Sequence, residues 1–146
     1  MADFAGMGYP IVTNPKGYFP VTKGVDLIKG DLLCLLLTNP GERVMMPQFG
    51  TPLRKLVFEP NDSILAERAR QMISDSISRW EPRIVVKAIN VMTGVDKDFL
   101  NKDDDLTNRE HVLGIQIIFV DPQDIQEVQE LVLQVPLHGD QNANSP

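Results

Sequence analysis

The sequence predicts an α+β fold: two main helices plus a short one, packed on a small, largely antiparallel three-stranded sheet, with an extended N-terminal arm. Two observations carry this. Apolar residues recur at three-and-four spacing in the first half of the chain, and Val/Ile/Leu runs alternating with polar residues fill the second half.

The arm comes first. Gly6, Gly8, Pro10, Pro15, Gly17, Pro20 and Gly24 interrupt regular structure, with Tyr9, Tyr18 and Phe19 between them. One short strand, Ile11 to Thr13, is expected there. Val25 to Leu37 is the first helix: positions 25, 28, 32, 35 and 36 form one face, widened by Leu33 and Leu37. Thr38-Asn39-Pro40-Gly41 stops it, because the residue before proline is driven from helical geometry. Glu42 to Gly50 then forms a loop. Thr51 is expected to cap a short helix with Pro52 at its first position, carrying Leu53, Leu56, Val57 and Phe58.

The second long helix takes its cap from Asn61 or Asp62. Leu65, Ala69, Met72, Ile73, Ile77 and Trp80 mark its apolar face, while Glu67, Arg68, Arg70, Asp75 and Arg79 lie opposite. Pro82 ends it. Three strands follow: Arg83 to Met92, His111 to Val120 with Leu113, Ile115, Ile117 and Phe119 alternating, and Val128 to Leu137. In the last, Leu131, Leu133, Val135 and Leu137 share one face; Glu130, Val132 and Gln134 take the other. The Asp-rich stretch 96–110 is expected to be a solvated hairpin loop. This divides the chain into an arm (1–24), one domain (25–138) and a polar, flexible tail (139–146).

Composition narrows the function. At 146 residues, with 42% hydrophobic and 23% charged residues, the chain has a globular balance. A net charge of −6 argues against nucleic acid and against anionic membrane surfaces as partners, since both are bound chiefly through Lys and Arg. The longest apolar run, Leu32 to Leu37, is far short of the roughly 20 residues a membrane span needs. Met1-Ala2-Asp3 does not open a signal peptide, and a chain made in a reducing cytosol is expected. Cys34, the single cysteine, reads as a small buried hydrophobe with no evident neighbouring cation.

No phosphate loop, nucleophile elbow or calcium-loop pattern is present, and His111, His138 and Cys34 are placed too far apart for a metal. No cofactor is expected. Carboxylates at element ends, Glu42, Glu59, Asp62 and Glu81, leave a glycoside hydrolase open, although the aromatic platforms of a sugar cleft are sparse and Trp80 reads as core. The Gly41-Glu42-Arg43 and Glu81-Pro82-Arg83 corners are more informative. Each follows a helix at a chain reversal. An internal Arg–Glu clamp and a rigid corner that docks a partner both fit Glu81-Pro82-Arg83. A small sheet ending near the C-terminus leaves an edge that could recruit a partner's strand. The same edge would also serve a free-standing regulatory adaptor.

Leu36-Leu37-Thr38-Asn39-Pro40-Gly41-Glu42-Arg43-Val44-Met45, then Pro47-Gln48-Phe49-Gly50, Leu53-Arg54 and Leu56-Val57-Phe58-Glu59-Pro60-Asn61-Asp62, with Trp80-Glu81-Pro82-Arg83 further on, resemble the two signatures of one family. It is the baseplate wedge, or sheath-initiator, family of contractile phage tails (gene-product-twenty-five-like), with relatives in tailocins and type VI secretion baseplates. The resemblance covers about Tyr9 to Val95 by motif and the later strands by pattern. It implies a structural subunit, not an enzyme, present in several copies of a six-fold baseplate. Implied partners are other baseplate wedge proteins and the tail sheath protein, with the central hub or tube proteins as further candidates. Location would be the virion tail baseplate, assembled in the host cytoplasm. Glu81, Pro82 and Arg83 would contact the bundle of wedge partners, with Glu42 and Arg43 as a second docking spot. Glu130, Val132 and Gln134 would lie on the edge strand that sheath subunits extend. The family's old lysozyme label makes a muramidase the alternative.

Overall fold

The computed structural model describes residues 4–60, 63–92, 112–122 and 124–136. Among the described residues the elements run in the order β1 (Ala5–Met7), β2 (Val21–Lys23), α1 (Gly24–Leu37), a 3-10 helix (Leu53–Phe58), α2 (Ser63–Trp80), β3 (Val85–Met92), β4 (Val112–Asp121) and β5 (Asp124–Pro136). The architecture is α+β. β3, β4 and β5 form an antiparallel sheet in that order, and β1 pairs with β2 in a small second sheet.

One face of the large sheet meets the helices. β4 buries Leu113, Ile115, Ile117 and Phe119, and Val91 of β3 and Leu131 of β5 join them. Opposite lie Ile28, Leu32, Leu35 and Leu36 of α1 and Leu65, Ala69, Ile73 and Ile77 of α2. This is the alternation of the strands locked into the three-and-four spacing of the helices. The other sheet face carries a polar ladder among Ala88, Ile118 and Val132: Asn90 Nδ2 donates to Gln116 Oε1 at 2.7 Å, and Gln116 Nε2 donates to Glu130 Oε1 at 2.7 Å.

Several expectations are corrected. Ile11–Thr13 is not a strand; pairing goes instead to Ala5–Met7 and Val21–Lys23, with Gly6 opposite Thr22. The reason is tertiary: a side chain at Gly6 would start only 3.2 Å from Leu27 Cδ1, so the small residue lets β1 lie on α1. Thr51 caps no helix. Its buried hydroxyl donates to the Leu35 carbonyl at 3.3 Å, and the segment after it winds as 3-10 from a Pro52 cap. β5 begins at Asp124, earlier than the Val128 start expected. Gln126 and Glu127 are exposed, and the register shifts between Val128 and Asp124, so this stretch lacks the apolar alternation that marks a buried strand. Arg83 precedes β3 rather than starting it.

The Asn61/Asp62 cap, the 96–110 segment, His111, Leu137 and the 139–146 tail lie outside the described residues. Among the described residues no helix is long and apolar enough to cross a membrane.

Candidate functional site

The Glu81-Pro82-Arg83 corner is built by the end of α2. The Glu81 N–H donates to the Ile77 carbonyl at 2.8 Å, the last helical bond before Pro82, which brings no donor of its own. Glu81 is 5% exposed. Arg83 meets it side-on: Nε donates to Glu81 Oε1 at 2.6 Å, and Nη2 donates to Oε2. The same Nη2 reaches Asp31 Oδ2 of α1 at 2.5 Å. The Glu81 hydrogen bonds, with Asp31 adding to them, raise the guanidinium pKa above its ordinary value against the opposing effect of burial. The arginine is therefore a permanent cation tying α2, the turn and α1 together. Pro82 remains exposed at the apex. Asp31 was not recognised from sequence; 52 residues separate it from Arg83 and no local pattern links them.

Beside this corner, a groove of about 500 Å³ runs between α2 and β3. Arg70, Ser74, Ser78, Pro82 and Lys87 supply much of its polar and exposed wall, and Glu81 is the one carboxylate that lines it. Arg70 Nε donates to the main-chain oxygen of Ile89 at 2.9 Å, so the helix covers part of the β3 edge. A register shift between Val86 and Ala88 bends that strand at Lys87. Bulges and charges of this kind blunt an edge. β5 differs: it runs 13 residues and pairs with β4 without interruption from Val128 to Pro136, the register shifting beyond that run, toward Asp124. Its outward residues Val128, Glu130, Val132 and Gln134 are all exposed.

The Gly41-Glu42-Arg43 corner sits in a folded loop. Glu42 accepts from the Asn39 main-chain N–H at 2.9 Å and from Asn39 Nδ2 at 3.3 Å, and Arg54 lies 3.3 Å away. The Asn39 N–H is the main cause holding this carboxyl below the usual carboxylate range. Arg43 folds back over the Phe49 ring, 3.7 Å from its centroid, and donates to Cys34 Sγ at 3.1 Å. This corrects the cysteine reading: Cys34 is only half-buried and does have a neighbouring cation. The loop returns to the end of α1, a contact invisible to local pattern. Phe49 in turn stands edge-on to Trp80 at 5.4 Å, so Trp80 packs against the core margin.

The remaining carboxylate candidates do not converge. Glu59 is gripped by Arg68 Nη1 through both oxygens at 2.8 Å. Glu42, Glu59 and Glu81 thus each face an arginine in a different place, and Asp62 lies outside the described residues. Among the described residues, no group of three or more His, Cys, Asp or Glu could hold a metal.

A three-stranded sheet carrying two helices is a fold shared with baseplate subunits of contractile particles. The family model for baseplate wedge protein gp25 matches residues 22–117, and the chain belongs to that family. The baseplate wedge protein gp25 of Enterobacteria phage T4 is 33% identical over 73 residues, covering 50% of this chain. That match spans 55% of the phage protein's length. Among solved structures, a Geobacter sulfurreducens protein described as a tail lysozyme aligns over 77% of this chain and 90% of its own, with TM-score 0.60 and 22% identity. A chain of the anti-feeding prophage baseplate aligns over 95% and 90%, with TM-score 0.58 and 19% identity. One from the postcontracted pyocin R2 baseplate aligns over 91% and 98%, with TM-score 0.52 and 21% identity. These three likenesses are of fold.

Proposed function

We propose that the chain is a structural subunit that docks on other wedge proteins of a contractile-tail baseplate and offers β5 as the template on which the first sheath ring pairs. The observation that carries the reading is the contrast between the two edges of the sheet. β3 is bent at Lys87 and covered by Arg70, whereas β5 presents a continuous run, Val128 to Pro136, that is paired residue for residue with β4 and forms the opposite edge of the sheet among the described residues. Strand addition at such an edge draws affinity from main-chain hydrogen bonds and register from alternating side chains. Glu130, Val132 and Gln134 face outward along it. Pro82 and the groove beside it form the docking corner, with Arg83 and Glu81 holding its shape; Glu42 and Arg43 flank a second contact. Sheath, wedge and, further in, hub or tube proteins are the partners, and the host cytoplasm is where assembly takes place.

A structural role also accounts for the carboxylates better than a muramidase does. A glycosidase needs two carboxyls across a sugar cleft, one of them kept protonated near neutral pH. Glu42, Glu59 and Glu81 are instead engaged by arginines, and the groove has one carboxylate and no aromatic wall.

The test mixes the purified chain with wedge and sheath proteins of the same particle. Pro82→Ala, Arg83→Ala and Val132→Lys are compared by size-exclusion chromatography and negative-stain microscopy, with melting curves confirming folded protein. Pro82→Ala and Arg83→Ala are expected to weaken wedge docking, and Val132→Lys to block sheath nucleation while leaving docking intact. Failure of the wild type to join any complex would overturn the reading, as would release of reducing ends from cell walls by the pure protein.

A further inference from the structure

The loop between α1 and the 3-10 helix carries an apolar pair in an unusual position. Val44 is 93% exposed and Met45 is 91% exposed. They occupy the two central positions of a turn closed by the Met46 N–H donating to the Arg43 carbonyl at 3.3 Å. Turn centres normally go to Gly, Pro, Asn, Asp or Ser, because these residues supply the required backbone angles or solvate the bend. Two large apolar side chains in full water at such a site gain nothing for the isolated chain.

The loop is also held firmly. The Gly41 N–H donates to the Pro47 carbonyl at 2.7 Å, and the Thr51 N–H donates to the Thr38 carbonyl at 2.9 Å, so both ends are tied. Glu42 latches onto Asn39, and Arg43 lies across Phe49 and Cys34. The charged residues of this corner therefore act inward, and what they present outward is Val44–Met45. A pre-ordered apolar tip loses little conformational entropy on binding.

Charge indicates what it meets. Arg43, Arg54 and Arg79 surround the loop, Arg54 through Glu42 and Arg79 through Gln48, with Glu42 the carboxylate among them. On a chain of net charge −6, this end is locally cationic. We propose that the Val44–Met45 turn is a knob that inserts into an apolar pocket rimmed by carboxylates on a neighbouring baseplate protein. Two side chains make a small plug, suited to a protein pocket; a lipid surface would call for a longer apolar face. This rests on the docking role proposed above and names one of its contacts.

The experiment uses oxidative footprinting read by mass spectrometry. The free chain and the chain assembled with its wedge and sheath proteins are exposed to dilute peroxide. Met45 is expected to oxidise readily when free and at least about tenfold more slowly when assembled. The double variant Val44→Ser, Met45→Ser should melt with the wild type, yet enter the complex with affinity lowered on the order of tenfold or more, as burial of two apolar side chains implies. Added salt should weaken wild-type entry. If the wild type assembles but Met45 keeps its free rate, or the double variant assembles equally well, the knob is overturned and the docking role stands. If the wild type joins no complex, both fall. Sedimentation of wild type, but not the variant, with phosphatidylglycerol vesicles would also overturn it, in favour of a membrane contact.

Discussion

Two corners of this molecule have the same charge chemistry and opposite uses of it. Glu81 and Arg83 are joined through both carboxylate oxygens, and Glu81 is buried. Glu42 and Arg43 are neighbours that never meet in the contacts described: Glu42 turns to Asn39 and Arg54, Arg43 to Phe49 and Cys34. The first corner is a clamp across three elements. The second is a pair of exposed latches holding one loop. Burial decides the difference, since an ion pair withdrawn from water leaves a costly unpaired charge when broken, whereas an exposed one is largely screened.

The contrast can be broken most severely at Arg83. Arg83→Ala leaves Glu81 buried without its guanidinium, and about 3 kcal/mol of stability should be lost in urea unfolding. A loss under about 1 kcal/mol would show that water enters the corner freely and that the clamp is no stronger than the latch. Gly50→Ala probes the base of the other corner. Its φ is +119°, and an added Cβ would sit 2.2 Å from the Thr38 carbonyl oxygen. A destabilisation of roughly 2 kcal/mol or more is expected. Thermal melting of the purified variant checks it; an unchanged midpoint would mean the loop base yields.

Arg43→Ala removes a cation–π contact at the surface and should cost only about 0.5–1 kcal/mol. Hydrogen exchange should then speed up in the 41–50 loop and stay unchanged in β4; uniform acceleration would place Arg43 in the global fold instead. The smallest effect concerns pH. Because the Glu42 carboxyl titrates below its ordinary 4.5, the latch contributes above that pH and is lost as pH falls through the lower folded value. Chemical shifts of the Asn39 amide should report that titration in the wild type and lose it in Glu42→Gln. An Asn39 amide that moves identically in both proteins would dismiss the latch.

Much of the fold was legible in sequence because its determinants are local. The burial of Leu65, Ala69, Ile73 and Ile77, and of Leu113, Ile115, Ile117 and Phe119, follows the periods read from the chain. The arm was misread because its strands are three residues long and exist through each other and α1. The early start of β5 leaves no hydrophobic signal because residues 126–128 are exposed and the pairing register shifts between Val128 and Asp124. The candidate site was legible in its residue types and not in its partners. Glu81 and Arg83 stand two apart and could be paired on paper; Asp31, Phe49 and Cys34 could not.

The sequence by itself determined the types of the long elements, their buried faces, the breaks at Pro40 and Pro82 and the family signatures, because periodicity and backbone restriction act over a few neighbouring residues. Only the tertiary structure decided which charges would be clamped and which exposed, which sheet edge would be covered by Arg70, and that Val44 and Met45 would stand in water. Those outcomes depend on segments brought together from far apart in the chain, and the side-chain chemistry of Glu and Arg is the same before that happens.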